Sequence, residues 1–162
     1  MDVVSAALAL SVERVCYVWI SWRPDQFRTV CARWPRFAVA DPVTATSTLF
    51  VLFKVVQVGV FAAWCAPGFR QWALQAGAPA LSAGTLLLAL GQTLNLSVFH
   101  RLGVTGVFYG TRFGHAIAWQ HGFPFSVLRH PQYVGTVMSI WGLFLIVVVL
   151  AGTVLMLVLD QP

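Results

Sequence analysis

The stretch FPFSVLRHPQYVG, residues 123–135, holds much of the clustered polar and aromatic chemistry of an otherwise hydrophobic sequence. A second stretch, GVTGVFYGTRFG at residues 103–114, comes shortly before it and repeats glycine every three or four residues. Long apolar runs lie on both sides of this pair. The pattern predicts apolar helices that hold two short polar and aromatic segments in place.

The composition is typical of a membrane protein. Hydrophobic residues make up 59% and charged residues 9% of the 162 positions, and the mean hydropathy is +0.79. Soluble domains carry about 25% charged residues, so this chain lacks the polar side chains needed to cover a hydrated surface. We therefore predict an all-α, polytopic integral membrane protein. Its length fits a single domain over residues 1–162 with roughly three to five membrane segments of about 20 residues each.

The basic residues indicate membrane orientation and contact with anionic lipid rather than nucleic-acid binding. The formal net charge is +5, and nine of the ten basic residues are arginines. These arginines lie between apolar runs, where charge sets topology. Arg23 to Arg36 precede the second apolar segment, and Arg101, Arg112 and Arg129 follow the third. The positive-inside rule predicts that both groups face the cytosol. The scattered cysteines and histidines predict neither a disulfide framework nor a metal site.

Four apolar segments are predicted, at about residues 3–22, 43–65, 79–99 and 134–159, with a polar loop at 100–133. The adjacent Glu13 and Arg14 in the first segment are costly in hydrocarbon, so we expect an interfacial or shallow helix there. Asp41-Pro42, with Thr44 close behind, should open the second segment. Pro67-Gly68 should end it.

Two geometries are open for residues 134–159. As one helix, these 26 residues would extend about 39 Å at ~1.5 Å per residue and place Asp160 on the far side from Arg129. Folded back near Gly142 or at residues 147–151, the run would form a tight hairpin that returns Asp160 to the cytosolic side. The residues alone favour the single span.

Two glycine patterns each allow a packing role and a functional one. Gly91 shares a face of the third segment with Gly84 and Asn95, which is typical of close helix packing. Alternatively Gly91 opens a polar pocket with Gln92 and Asn95. Around the glycines of 103–114, aromatic faces could attract a sulfonium or quaternary ammonium group, worth ~0.5–2 kcal/mol. The alternative, an aromatic belt with glycines for packing, is favoured by composition.

The run Arg129-His130-Pro131-Gln132-Tyr133 combines three useful chemistries. Pro131 can start the following helix, which would leave Arg129 and His130 at the membrane surface and Tyr133 one turn inside. A guanidinium binds a carboxylate or phosphate bidentately. An imidazole accepts a proton near neutral pH.

The motifs RHPQYVG, GVFYGTRFG and FPF closely resemble those of the phospholipid N-methyltransferases. The resemblance is specific between Gly84 and Gly135 and extends weakly over the whole chain. It implies methylation of phosphatidylethanolamine derivatives, above all the mono- and dimethylated lipids, on the way to phosphatidylcholine. The RHPxYxG element is also similar to that of isoprenylcysteine carboxyl methyltransferases, which gives a rival activity. A membrane scaffold that has lost the cofactor is a second alternative.

The resemblance also implies S-adenosyl-L-methionine as methyl donor. Its contacts would fall on Ala89-Leu90-Gly91 in the third segment and on Asp160-Gln161 before the terminal proline. Ala89 stands where the family has a glycine, and Gln161 stands where it has an acid. A pocket built from both elements needs the chain to turn back, so the resemblance favours the hairpin for 134–159.

Further roles follow from the resemblance. His130 would take a proton, with Asp160 or water as alternatives. Arg129 or Arg112 would hold the lipid phosphate or the cofactor carboxylate. Tyr109 and Tyr133 would line the cationic centre, and Asn95 would belong to the substrate site. The phospholipid would enter sideways from the bilayer, in the endoplasmic reticulum or a mitochondrial membrane.

Overall fold

Helices dominate the computed structural model, which describes residues 2–33 and 41–159. They are α1 (Val3–Trp22), α2 (Pro24–Arg33), α3 (Pro42–Gln75), α4 (Ala78–Val107) and α5 (Pro131–Leu159), with a short 3-10 helix at Gly110–Phe113. These two ranges contain no strand. Helices α1, α3, α4 and α5 are long and apolar enough to cross a membrane. The prediction of an all-α polytopic membrane protein is therefore confirmed.

The chain divides into two compact units. The first unit consists of Met1–Trp64 and Leu102–Trp119, and the second of Cys65–Arg101 and Gln120–Pro162. Helices α3 and α4 contribute residues to both. The single domain over residues 1–162 stays a prediction. Arg36, Asp160 and Gln161, which carried parts of the sequence predictions, lie outside the described residues.

In the first unit, a polar contact joins the middle of α1 to α3. Glu13 is buried, and the Gln57 side chain donates a hydrogen bond to its carboxylate. Gln57 accepts a hydrogen bond from Lys54 Nζ at 2.6 Å. Burying a charged group costs much less when it is hydrogen-bonded. Helix α1 is long and apolar enough to cross a membrane, and its buried acid is hydrogen-bonded. The interfacial or shallow position of residues 3–22 stays a prediction.

Helix α3 begins where the sequence predicted. The Asp41 carboxylate accepts hydrogen bonds from the backbone N–H and the hydroxyl of Thr44 at 2.9 and 2.8 Å. Partial burial raises the pKa of Asp41, but the hydrogen bonds from Thr44 outweigh it and hold this pKa below its ordinary value. The carboxylate thus caps the free N–H groups of the first turn.

The predicted end of α3 is wrong, because the helix continues through Pro67 to Gln75. A proline removes one backbone donor, a loss that membrane helices tolerate when neighbouring groups compensate. The Trp72 ring packs on the adjacent Gly68, where a Cβ would lie 2.8 Å from Trp72 Cζ2. This ring covers the backbone directly after the proline.

Helix α4 extends beyond the predicted segment 79–99, so the polar loop begins later than residue 100. His100 and Arg101 are exposed, and their polar side chains therefore do not oppose a further helical turn. Gly103 interrupts the helical backbone with φ +63° and ψ 176°, a conformation that costs glycine little.

Helix α5 is one continuous helix of 29 residues, about 43 Å long at ~1.5 Å per residue. The tight hairpin that the family resemblance favoured is therefore wrong. Gly142, a predicted turning point, lies inside the helix against α4, where a Cβ would lie 2.5 Å from Leu88 N. Residues 134–159 contain no proline, and this glycine serves close packing rather than a turn.

Candidate functional site

Small residues bring α4 and α5 into close contact in the second unit. Gly84, Gly91 and Val98 are buried at intervals of seven on α4, and Gly135 and Gly142 at the same interval on α5. A Cβ on Gly91 would lie 2.6 Å from the Gly135 carbonyl oxygen, and one on Gly84 2.9 Å from that of Gly142. A repeat of seven is typical of left-handed helix packing. The packing interpretation of this glycine face is confirmed.

Polar side chains border the Gly91–Gly135 contact. Gln92 Nε2 donates to Ser139 Oγ at 3.0 Å, and Ser139 Oγ donates to the Gly135 carbonyl at 2.8 Å. Asn95 Oδ1 is buried beside Gly135 and accepts no hydrogen bond from the described residues. A buried acceptor without a donor costs about 1–3 kcal/mol. Helix α5 occupies the space beside Gly91. Of the polar pocket predicted here, the buried Asn95 oxygen is the part that could still meet a ligand.

The RHPQY run forms the beginning of α5, as its proline predicted. Pro131 is the first residue of the helix, and the Val134 N–H bonds to the His130 carbonyl at 3.3 Å. Arg129, His130 and Tyr133 are all exposed. The His130 and Tyr133 rings lie 6.0 Å apart between centroids. An imidazole and a phenol therefore lie near each other at the beginning of α5. Their catalytic roles remain predictions.

The stretch assigned to the methyl donor is divided between two environments. Gly91 is buried in the helix contact, whereas Ala89 and Leu90 are exposed on the surface of α4. Gly91 therefore has a structural reason to be glycine that needs no cofactor. The other proposed contacts, Asp160 and Gln161, come after Leu159 in the sequence and lie outside the described residues. Their contact with the donor stays a prediction.

The glycine-spaced segment belongs to the first unit, where its aromatic residues mostly pack on other rings. Phe108 and Phe113 are buried, with ring centroids 5.3 Å from Phe50 and 5.9 Å from Phe27, respectively. The prediction of open aromatic faces is therefore wrong for these two. The alternative, an interfacial aromatic belt with glycines for packing, stays a prediction.

Tyr109 has an unusual backbone in this segment. Its φ is +59°, a left-handed conformation that is uncommon outside glycine, and its ring lies 5.9 Å from that of Tyr17. Arg112 is exposed on the 3-10 helix. Binding of substrate by Tyr109 and Arg112 stays a prediction.

Sequence reasoning overlooked two features of the second unit. It gave Ser139 no role, although Gly135 and Ser139 lie four residues apart and therefore share a face of α5. It also missed the bond from Arg101 Nε to the Phe123 carbonyl at 3.2 Å. The matching seven-residue intervals of glycine on α4 and α5 could have predicted that the Gly135 face, with Ser139, meets α4. No local pattern indicates the bond between Arg101 and Phe123.

Comparison with known proteins places α4 and α5 in a family context. The family model described as "Phospholipid methyltransferase" matches residues 79–160, about half of the chain. The chain is 54% identical over 54 residues to a phosphatidyl-N-methylethanolamine N-methyltransferase of Arabidopsis thaliana, a match covering 33% of each protein. Proteins of the same name from Saccharomyces cerevisiae and Neurospora crassa are 41% and 46% identical over 63 and 57 residues.

These matches are partial. They cover 38% and 35% of this chain and 31% and 27% of the yeast and Neurospora proteins, respectively. The chain thus spans about a third of the length of the curated relatives that it matches. No solved structure matches it.

Proposed function

The chain belongs to the phospholipid methyltransferase family, and on this premise we propose that it transfers a methyl group to the amine of a phospholipid headgroup. The observation that carries the proposal is the extent of the family match, which includes all of α5 and most of α4. That range contains the RHPQY run, the buried Asn95 oxygen and the glycine contact between the two helices.

The proposed acceptors are phosphatidyl-N-methylethanolamine and its dimethyl derivative, with phosphatidylethanolamine as a further acceptor. Relatives in a plant and two fungi carry the name of the first activity. Family membership implies a methyl donor, and we propose S-adenosyl-L-methionine, whose sulfonium supplies an activated methyl group. Held in place, a neutral amine needs little further assistance, so proximity and orientation supply most of the rate.

The residues of the second unit have distinct proposed roles in this reaction. Asn95 Oδ1 would accept a hydrogen bond from the amine N–H, which gives this buried oxygen the donor that it lacks. His130 would accept the proton that the amine loses. Tyr133, beside His130, would line the cationic centre with its ring face. Arg129 would pair with an anionic group at the membrane surface.

The fit of these residues to the methyl donor is incomplete. Helix α5 occupies the space beside Gly91. Within the predicted stretch Ala89-Leu90-Gly91, only Ala89 and Leu90 are exposed and could contact a ligand. We retain Ala89, Leu90, Gly91, Asp160 and Gln161 as the proposed donor site on the strength of the family resemblance. No catalytic step is assigned to them.

The protein is an integral membrane protein, and its phospholipid acceptor would reach it from within the bilayer. We propose the endoplasmic reticulum membrane as its location, with a mitochondrial membrane as the alternative, because phosphatidylcholine synthesis by this family is expected there. Tyr109 at the cationic centre and Arg112 at an anionic group are further proposals from the resemblance.

A direct test uses the purified chain in phospholipid vesicles with methyl-labelled S-adenosyl-L-methionine. Vesicles containing phosphatidyl-N-methylethanolamine should yield labelled dimethyl lipid, and vesicles of phosphatidylcholine should not. A prenylated cysteine methyl acceptor in a parallel reaction tests carboxyl methylation. If no lipid is labelled and no donor binds, the chain is not a methyltransferase under these conditions and the scaffold alternative replaces the proposal.

A further inference from the structure

A pocket of about 330 Å³ lies in the second unit, beside residues 96–101 of α4. It is lined by Leu96, Ser97, His100, Arg101 and Phe123. The first four belong to α4, and Phe123 begins the FPF segment. Sequence analysis assigned none of the five to a binding site, so this pocket is not explained by the roles described above.

The guanidinium of Arg101 is oriented by the loop that faces it. Its Nε donates to the Phe123 carbonyl at 3.2 Å. A Cβ on the preceding Gly122 would lie 2.7 Å from Arg101 Nη2 and 2.9 Å from Cζ, so the guanidinium rests on the bare glycine backbone. A guanidinium has five N–H donors, and the bond to Phe123 uses one. Among residues 2–33 and 41–159 no group accepts a hydrogen bond from Nη1 or Nη2, so these four donors are available to a ligand.

The lining combines a cation with polar and apolar surface. His100 and Ser97 add hydrogen-bonding side chains beside the guanidinium. Leu96 and Phe123 are 66% and 46% exposed, and they present apolar surface next to it. A planar fork of N–H groups matches the oxygens of a phosphate. The pocket is therefore suited to a phosphate that carries hydrocarbon.

The position of Arg101 along α4 agrees with this ligand. It follows the apolar run 79–99 and precedes the helix break at Gly103, where an apolar span gives way to polar chain. Arginines at such positions interact with anionic lipid headgroups. Leu96 lies more than one turn earlier, toward the apolar run, where acyl chains would extend.

We infer that this pocket binds the phosphate of a membrane phospholipid, with Arg101 as the anchoring residue. The identification of that lipid as the methyl acceptor rests on the proposed function. The resemblance had given the phosphate to Arg129 or Arg112. We assign it to Arg101 because the hydrogen bond to the Phe123 carbonyl orients this guanidinium beside the pocket.

Binding is tested first without reference to catalysis. The full chain in detergent is titrated with phosphatidyl-N-methylethanolamine, phosphatidic acid or diacylglycerol, and the complexes are counted by native mass spectrometry. Both phospholipids should bind and diacylglycerol should not. Arg101→Gln should weaken phospholipid binding about ten-fold, the effect of losing one charge-assisted pair. Arg101→Lys should lie in between, because lysine keeps the charge without the fork.

Matched variants separate this effect from general loss of charge or structure. Arg70→Gln removes an exposed arginine of the same unit and should bind lipid normally. Gly122→Ala should weaken binding because its Cβ displaces the flexible end of Arg101, while Gly59→Ala, which meets nothing within 4 Å, should not. Equal phospholipid binding by the wild type and Arg101→Gln would overturn the inference. So would diacylglycerol binding as strong as phospholipid binding.

Competition and kinetics identify the source of the phosphate. Inorganic phosphate at millimolar concentration should not displace the lipid; if it does, the pocket is a site for free phosphate. In the methyltransferase assay, Arg101→Gln should raise the KM for lipid about ten-fold and change kcat by less than about two-fold. A change in the KM for the methyl donor instead would overturn the inference. If the wild type transfers no methyl group, the proposed function fails. The binding measurements still decide whether the pocket binds a phospholipid phosphate.

Discussion

At the residue scale, four glycines and an asparagine determine how α4 and α5 meet. Gly91 and Gly135 lie so close that a Cβ on either would come within 2.7 Å of the other's carbonyl oxygen. Gly142 lies equally close to Gly84. Asn95 lies at the edge of this contact with its oxygen buried. The same approach of two backbones thus creates the tight packing and buries an acceptor that has no donor among the described residues.

Gly91→Ala should destabilise the protein by about 1–3 kcal/mol, because the new methyl group meets backbone that cannot move aside without separating the helices. The measurement is the thermal unfolding midpoint in detergent. Gly59→Ala is the control, since a Cβ there lies in open space. An unchanged midpoint for Gly91→Ala would show that the two helices are not packed as described.

Asn95→Leu should separate binding from stability. If Asn95 Oδ1 binds the amine, methyl transfer should fall by about ten-fold in kcat/KM, because one hydrogen bond to a cationic or polar group is lost. The unfolding midpoint should stay the same or rise, because the replaced oxygen makes no hydrogen bond with the described residues. Thr85→Val, an exposed position on the same helix, serves as control. Loss of stability with normal kcat/KM would assign Asn95 to structure instead.

At the element scale, α1 depends on α3 to bury an acidic residue. Glu13 is buried and hydrogen-bonded to Gln57, and Gln57 is hydrogen-bonded to Lys54. Lys54 also lies 4.9 Å above the Phe50 ring. A carboxylate without this donor would be too costly in an apolar environment. The contact therefore specifies which face of α1 meets α3.

Gln57→Leu should cost about 3 kcal/mol of stability, because it leaves the Glu13 carboxylate buried without its donor. The double variant Glu13→Leu/Gln57→Leu should recover most of that loss, since neither partner then needs the other. A double-mutant cycle from unfolding midpoints measures the coupling. Gln71→Leu, on the exposed surface of α3, is the control. Additive effects of the two single changes would contradict the contact.

At the scale of the whole molecule, the continuous α5 separates the two ends of the family motif. Its length of about 43 Å exceeds the ~30 Å thickness of a bilayer core. Arg129 precedes the helix and Leu157 lies near its end. The family resemblance required these ends to meet, whereas the helix keeps them apart.

Cysteine labelling can test this separation. After replacement of Cys16, Cys31 and Cys65 by serine, single cysteines at Arg129 and Leu157 should react with an impermeant maleimide from opposite sides of sealed vesicles. Reaction from the same side would restore the hairpin. A cysteine at Arg70, which lies near the end of α3, should react from the same side as Leu157.

The local features of this protein could be predicted from the sequence. Hydropathy established the membrane class, Asp41 and Thr44 marked the beginning of α3, and Pro131 marked the beginning of α5. Each depends on neighbours within a few residues, and such short-range preferences can be read directly. The end of α3 was missed for a related reason. Proline usually ends an isolated helix, whereas Pro67 lies inside the long apolar helix α3, and membrane-length helices tolerate the loss of one backbone donor.

By itself, the sequence determined the helical membrane class, the family motifs and the two helix starts, because hydropathy and capping act locally along the chain. Only the tertiary structure decided that Glu13 is hydrogen-bonded, that α5 packs against Gly91 and that a loop orients Arg101. It also decided that Asn95 Oδ1 has no donor within the described part of the chain. These outcomes depend on partners such as Gln57 and Ser139, which are 44 and 47 residues distant from the side chains they bond. No local pattern specifies which distant group a side chain meets, since that follows from how whole helices pack.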